Sequence, residues 1–139
     1  MLFRSWAEGC VYYQIFPERF AKGEEERENL TDWNAVPTRD NYLGGTLSGI
    51  TDRIPYLADL GVECIYLNPI FLADFNHKYA TTDYFRIDPS FGTEQDLVCL
   101  VDTAHRNGIR IILDGVFNHV GIHFAPFADM VRKDRKSVV

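Results

Sequence analysis

Cysteine is scarce in this chain: Cys10, Cys64 and Cys99 stand far apart and are odd in number. They suit neither a disulfide framework nor a paired metal-ligand spacing, and each reads as a small buried hydrophobe in a reducing compartment. No run of roughly 18 apolar residues is present, and the first residues carry Arg4 and Glu8 without an apolar stretch of signal-peptide length. The expectation is a cytoplasmic protein without a membrane partner. Positive charge is also short, with 14 Lys and Arg against 20 Asp and Glu for a formal charge of −6. That balance argues against nucleic acid and anionic membranes. A phosphate cradle is lacking too: Gly44-Gly45 precedes a helical pattern without the third Gly or the Lys that such cradles use. Ser5, Ser48, Ser90 and Ser137 lack a nucleophile-elbow context. Length is the last shortage, since 139 residues fall below the roughly 200 that a complete (β/α)8 barrel needs.

What is present alternates. Val11-Tyr12-Tyr13-Gln14-Ile15-Phe16, closed by Pro17, is aromatic and β-branched and reads as a strand buried on both faces. Residues 22–45 form a long polar loop holding the acidic run Glu24-Glu25-Glu26-Arg27-Glu28, read as a solvated segment. Leu47, Ile50, Ile54, Leu57 and Leu60 recur at helical spacing, with Thr46 or Ser48 as the cap and Gly61 as the stop. Pro55 should bend that helix or delay its start. Val62 to Leu67 is a second strand. Thr93 and Asp96 make a variant capping box for a helix bearing Leu97, Leu100, Val101 and Ala104, which Asn107-Gly108 ends. Ile109 to Leu113 is a third strand.

Strand, loop, helix, strand, loop, helix, strand is the pattern of βαβ units around a parallel sheet. Ligand sites in such sheets lie beyond the carboxyl ends of the strands. Glu18, Arg19, Asn68, Asp114, Asn118 and His119 follow strands and are therefore expected at one opening. A His beside an Asn and five residues after an Asp suits a hydroxylated ligand, a metal or a general base, and spacing alone does not choose among them. His119 and His123 with Asp114 mimic a metal triad, but Gly121 lies between the histidines and no Glu stands beside either.

Four segments then carry a resemblance. Tyr13-Gln14-Ile15-Phe16-Pro17-Glu18-Arg19-Phe20, Gly44-Gly45-Thr46-Leu47-Ser48-Gly49-Ile50, the stretch from His77-Lys78-Tyr79 through Asp83-Tyr84 to Ile87-Asp88-Pro89, and Asp114-Gly115-Val116-Phe117-Asn118-His119 resemble the opening of the α-amylase superfamily catalytic barrel, nearest its neopullulanase, cyclomaltodextrinase and maltogenic amylase branch. The resemblance runs from about Trp6 to Asp129. It implies an α/β chain comprising the first three strands and first two helices of a (β/α)8 TIM barrel, incomplete here. It also implies two parts: residues 1–119 as barrel, and residues 120–139 as the start of a small domain inserted after the third strand.

By the same resemblance Tyr79 is the aromatic platform stacking on the sugar in the cleavage subsite, and His119 hydrogen-bonds that sugar. Asp114 supports neighbouring groups, and Asn118 is structural or a weak calcium candidate. No cofactor follows from it, because Lys22-Gly23-Glu24 stands where relatives often carry Asn-Gly-Asp, and Thr46 where an Asp often follows the Gly pair. Ala80 replaces the Asp that commonly follows the platform Tyr. Retaining glycosidases need two carboxyl groups roughly 5 Å apart, which this family supplies after later strands, and none of the matched positions is nucleophile or acid. The family's usual N-terminal sugar-binding domain is not seen either, and the chain stops at Lys136-Ser137-Val138-Val139. The expectation is an N-terminal portion of an α-glucan hydrolase, inactive alone, whose partners are an α-glucan oligosaccharide and either a second copy or a completing barrel half. The alternative is a non-catalytic sugar-binding module.

Overall fold

The computed structural model describes residues 5–24, 28–38 and 40–136. Arg4, the Glu25-Glu26-Arg27 part of the acidic run and Ser137 to Val139 lie outside the described residues. The elements are a 3-10 turn Ser5–Ala7, β1 Tyr12–Ile15, a second 3-10 turn Pro17–Arg19, α1 Leu47–Asp52, α2 Ile54–Asp59, β2 Cys64–Leu67, β3 Phe71–Ala73, β4 Thr81–Ile87, α3 Glu94–Arg106, β5 Arg110–Leu113 and α4 Ala125–Lys136. Strands β1, β2 and β5 form a parallel sheet in that order, with Ile15 beside Leu67 and Leu67 beside Leu113. Strands β3 and β4 form a separate antiparallel hairpin.

Local chemistry explains the elements. Thr46 caps α1 by accepting from Gly49 N. Pro55 splits the expected helix in two: Arg53 ends α1 and opens α2, and the proline sits in the first turn of α2, where its missing N–H costs nothing. The Thr93–Asp96 capping box is formed in both directions, and His105 and Arg106 occupy the last turn of α3, where cations suit the dipole.

Ile15, Ile65 and Leu67 pack with Leu47 and Ile50 of α1, Ile54 and Leu57 of α2, and Leu100 and Ala104 of α3. The helices therefore cover one face of the sheet. Tyr12 and Gln14 point to the other face and are exposed. This corrects the expectation of a β1 buried on both faces: burial alternates along the strand because the helices cover one side, while the other is covered only in part, by the Ser5–Ala7 turn whose Trp6 ring lies under the Arg110 guanidinium.

The β3–β4 hairpin and α4 were not anticipated. β3 has three residues and its pairing with β4 is broken by two register shifts, so β4 shows no clean alternation of polar and apolar residues. The long loop is tied at its end by Glu18, which is 1% exposed. The Glu18 carboxylate accepts from Leu43 N and Gly44 N, and its backbone carbonyl accepts from Gly45 N at 2.7 Å.

Candidate functional site

Three strand ends and one connector converge through hydrogen bonds with a single direction. Gln14 of β1 donates Nε2–H to Asn68 Oδ1 at 2.8 Å; Asn68, just past β2, donates Nδ2–H to Tyr79 Oη at 3.2 Å; Tyr79 donates its hydroxyl to Asp114 Oδ2, just past β5, at 2.8 Å. The parallel ladder places the two anchors, since Asn68 N donates to Ile15 O and Asp114 N to Leu67 O. Tyr66 also hydrogen-bonds Asp114 through its side chain. Gln14 and Tyr66 are register partners, so both project to the face of the sheet away from the helices.

The environment fixes protonation at Tyr79. Burial first, then the hydrogen bond and negative charge of Asp114, push its hydroxyl up to about 12. The same causes in the same order raise Tyr66. A raised pKa means that the Tyr79 contact stabilises the fold fully below the ordinary tyrosine value near 10 and is lost as pH rises through about 12. In an alkaline titration followed by phenolate absorbance, Tyr79→Phe is expected to remove one late-titrating phenol. Loss of a phenol titrating near 10 instead would contradict the geometry.

The backbone beside Tyr79 is held from below. Lys78 is 3% exposed, adopts a left-handed φ of 61°, and sets its Nζ 2.7 Å from Asp88 Oδ2. The same ammonium lies over the rings of Tyr42 and Phe91. Tyr79 N donates to His77 Nδ1 at 3.0 Å, and Phe75, His77 and Tyr79 form a ladder of neighbouring rings.

Of the residues expected at the opening, Asn68 and Asp114 are brought together through Tyr79, the expected sugar platform. Asn118 and His119 are exposed, and their side chains make no hydrogen bond to Tyr79 or Asp114. The 114–119 segment is held through its backbone, because the Tyr84 hydroxyl donates to Val116 O and lies 3.3 Å from His119 O. His123 pairs with Asp74 at 3.0 Å, apart from Asp114 and His119. Glu18 is committed to the loop, with Arg19 Nε 3.1 Å from its carboxylate.

The loop that stands where relatives often carry Asn-Gly-Asp is engaged within the chain. Lys22 sets its ammonium over the Trp33 ring, Gly23 N donates to Thr46 Oγ1 at 3.0 Å, and among the described residues no three His, Cys, Asp or Glu side chains gather to hold a metal.

Gln14, Tyr66 and the Lys78–Asp88 pair were missed from sequence. The available signal was a lone Gln inside an aromatic strand, whose alternation puts it opposite Ile15; nothing local to Lys78 foretells a partner ten residues on.

Residues 14–138 match the family described as alpha amylase, catalytic domain. The chain belongs to the alpha-amylase catalytic-domain family. It is 50% identical over 134 residues to a cyclomaltodextrinase of Thermoanaerobacter pseudethanolicus, covering 95% of this chain and 23% of that protein. It is 48% identical over 136 residues to neopullulanase 2 of Thermoactinomyces vulgaris, again covering 95% of this chain and 23% of the relative. Among solved structures, the ligand-free cyclic alpha-maltosyl-(1→6)-maltose hydrolase of Arthrobacter globiformis superposes with a TM-score of 0.88 at 43% identity, covering 94% of this chain and 30% of that one. The chain thus spans about a quarter of the length of the curated relatives it matches. Strands β1, β2 and β5 of this alpha-amylase family member are the first three strands of an incomplete barrel, with α1–α2 and α3 as its first two helical layers.

Proposed function

We propose that this chain supplies part of the sugar-binding cleft of a retaining glycoside hydrolase acting on α-1,4 or α-1,6 glucosidic bonds of α-glucan oligosaccharides. The observation that carries the reading is the Tyr79 ring, held by Asn68 and Asp114 at the carboxyl ends of the parallel strands. A fixed ring face offers a platform to the C–H side of a pyranose, and a ring already ordered loses little entropy on binding. His119, exposed and in the segment after β5, is the group that donates to or accepts from a sugar hydroxyl. Asp114 is a positioning group for Tyr79 rather than an attacking carboxylate, because two phenols occupy it.

Bond cleavage with retention takes two carboxyl groups roughly 5 Å apart, one forming a glycosyl ester and the other donating and then abstracting the proton. In this reading both come from barrel strands beyond these 139 residues. They arrive either as the continuation of the chain or as a separate half docking on the sheet face away from the helices, where Tyr12 is 46% exposed, and on the exposed Phe117. Titration of maltotriose into the full-length protein tests the sugar contact. Tyr79→Ala is expected to weaken binding by about tenfold, equivalent to roughly 1.4 kcal/mol, while Tyr79→Phe retains most of it. Equal affinity of wild type and Tyr79→Ala would refute the platform.

A further inference from the structure

The β3–β4 hairpin grips the 116–124 segment at two places, and neither belongs to the parallel sheet. Gly121 N donates to Thr81 O at 2.8 Å, an approach so close that an added Cβ at position 121 would stand 2.6 Å from Ala80 O. Four residues along β4 from Ala80, Tyr84 turns its hydroxyl onto two carbonyls of the same segment, those of Val116 and His119. Its ring is fixed from three sides: Phe71 at 6.4 Å, Phe117 at 5.8 Å and Phe124 at 5.8 Å between centroids. Val116, 7% exposed, and the rings of Phe117 and Phe124 against Tyr84 hold the ends of the segment by packing, whereas the exposed His119 imidazole has no bond to Tyr79 or Asp114, so residue 119 is held through its backbone.

We propose that Tyr84 is the positioning residue for His119, acting through one hydroxyl proton shared between two backbone carbonyls. Tyr79 leaves the connector immediately before β4, and His119 lies between the two clasp points on the partner segment. The hairpin is then a ruler: one rigid strand sets where the ring platform and the imidazole stand relative to each other. A carbonyl that loses its donor turns toward water, and residue 119 turns with it. The sugar contact of His119 rests on the function proposed above, whereas its placement by Tyr84 does not.

Tyr84→Phe in the full-length protein removes the hydroxyl and keeps the ring. The imidazole resonances of His119, assigned with His119→Gln, are read by NMR without sugar, beside a control, Ile54→Val, that loosens the core far from the clasp. The expected result is a shifted or doubled His119 signal in Tyr84→Phe, an unchanged one in Ile54→Val, and maltotriose affinity lowered by about fivefold in Tyr84→Phe. His119 signals that superpose on the wild type, or that move equally in the control, would overturn the proposal. Should Tyr84→Phe fail to fold, the wild-type protein still decides: a slowly exchanging Tyr84 hydroxyl proton with cross-peaks to residues 116–119 supports the clasp, and a freely exchanging one overturns it. Because these spectra are taken without ligand, failure of the sugar reading leaves the outcome legible.

Discussion

Replacing Lys78 by Met is expected to destabilise the fold by about 3–5 kcal/mol, the usual penalty for stranding one member of a buried ion pair. The side chains of Lys78 and Asp88 are 3% and 7% exposed, and 2.7 Å separates the charges. Asp88 also accepts from Ser90 N at 2.9 Å and Ala73 N at 3.3 Å. Burial on its own would raise the Asp88 carboxyl, but the bonds from Lys78 and Ser90 outweigh it and hold the group below its ordinary value. A depressed carboxyl contributes stability that is present above the ordinary Asp range, near 4, and lost as pH falls through the depressed value. Without Lys78 the burial effect is opposed only by the bonds from Ser90, so the carboxyl is expected to rise. The deficit of the variant should therefore be largest near neutrality and shrink on acidification, since a protonated Asp88 needs no cation. Urea unfolding of Lys78→Met at neutral and mildly acid pH, with Asp88→Asn added to recover part of the loss, checks this; equal unfolding midpoints for variant and wild type at neutral pH would contradict it. The effect extends to the site, because Lys78 fixes the left-handed backbone from which Tyr79 departs.

Gly45→Ala carries the second large effect. A Cβ there would stand 2.0 Å from Pro17 O and 2.7 Å from the Glu18 carbonyl carbon, both main-chain atoms of the turn after β1. No side-chain rotation relieves such a contact, so the cost falls at the upper end of the roughly 1–3 kcal/mol range for overpacking. For a chain of 139 residues that corresponds to about 10 °C in Tm. The shift also pulls Gly45 N away from Glu18 O, and with it the loop end that the Glu18 carboxylate holds. A thermal scan of the variant within a degree or two of wild type would mean that the two backbones do not cross as described.

The parallel sheet was legible because its signals are local. Strand pattern, capping residue and stop glycine all lie within a few positions of one another for α1–α2 and for α3, and the convergence of strand ends follows from topology alone. Asp114 and Tyr79 were named as candidate site residues through the family motifs. Their contact was not, since 35 positions separate them and the hydroxyl that joins them belongs to the connector rather than to a strand. The hairpin escaped notice because its pairing is irregular and three residues of β3 give no period. Lys78 was invisible as a structural cation because burial of an ammonium depends on Asp88 and Phe91 in the turn after β4 and on Tyr42 in the long loop, two segments far from each other in sequence. His119 was expected to meet the same sugar as Tyr79; its backbone is held by Tyr84, a residue that the motif contains but to which spacing gives no role.

The central proposal is that these 139 residues, which belong to the alpha-amylase catalytic-domain family, carry a sugar-contacting part of its barrel and not its bond-breaking carboxylates. The direct test is incubation of the purified 139-residue polypeptide, verified by intact mass, with maltotriose, cyclodextrin and pullulan. The account predicts no release of glucose or maltose above a buffer control. Release that scales with the amount of polypeptide would contradict it and would require a catalytic carboxylate pair within this chain.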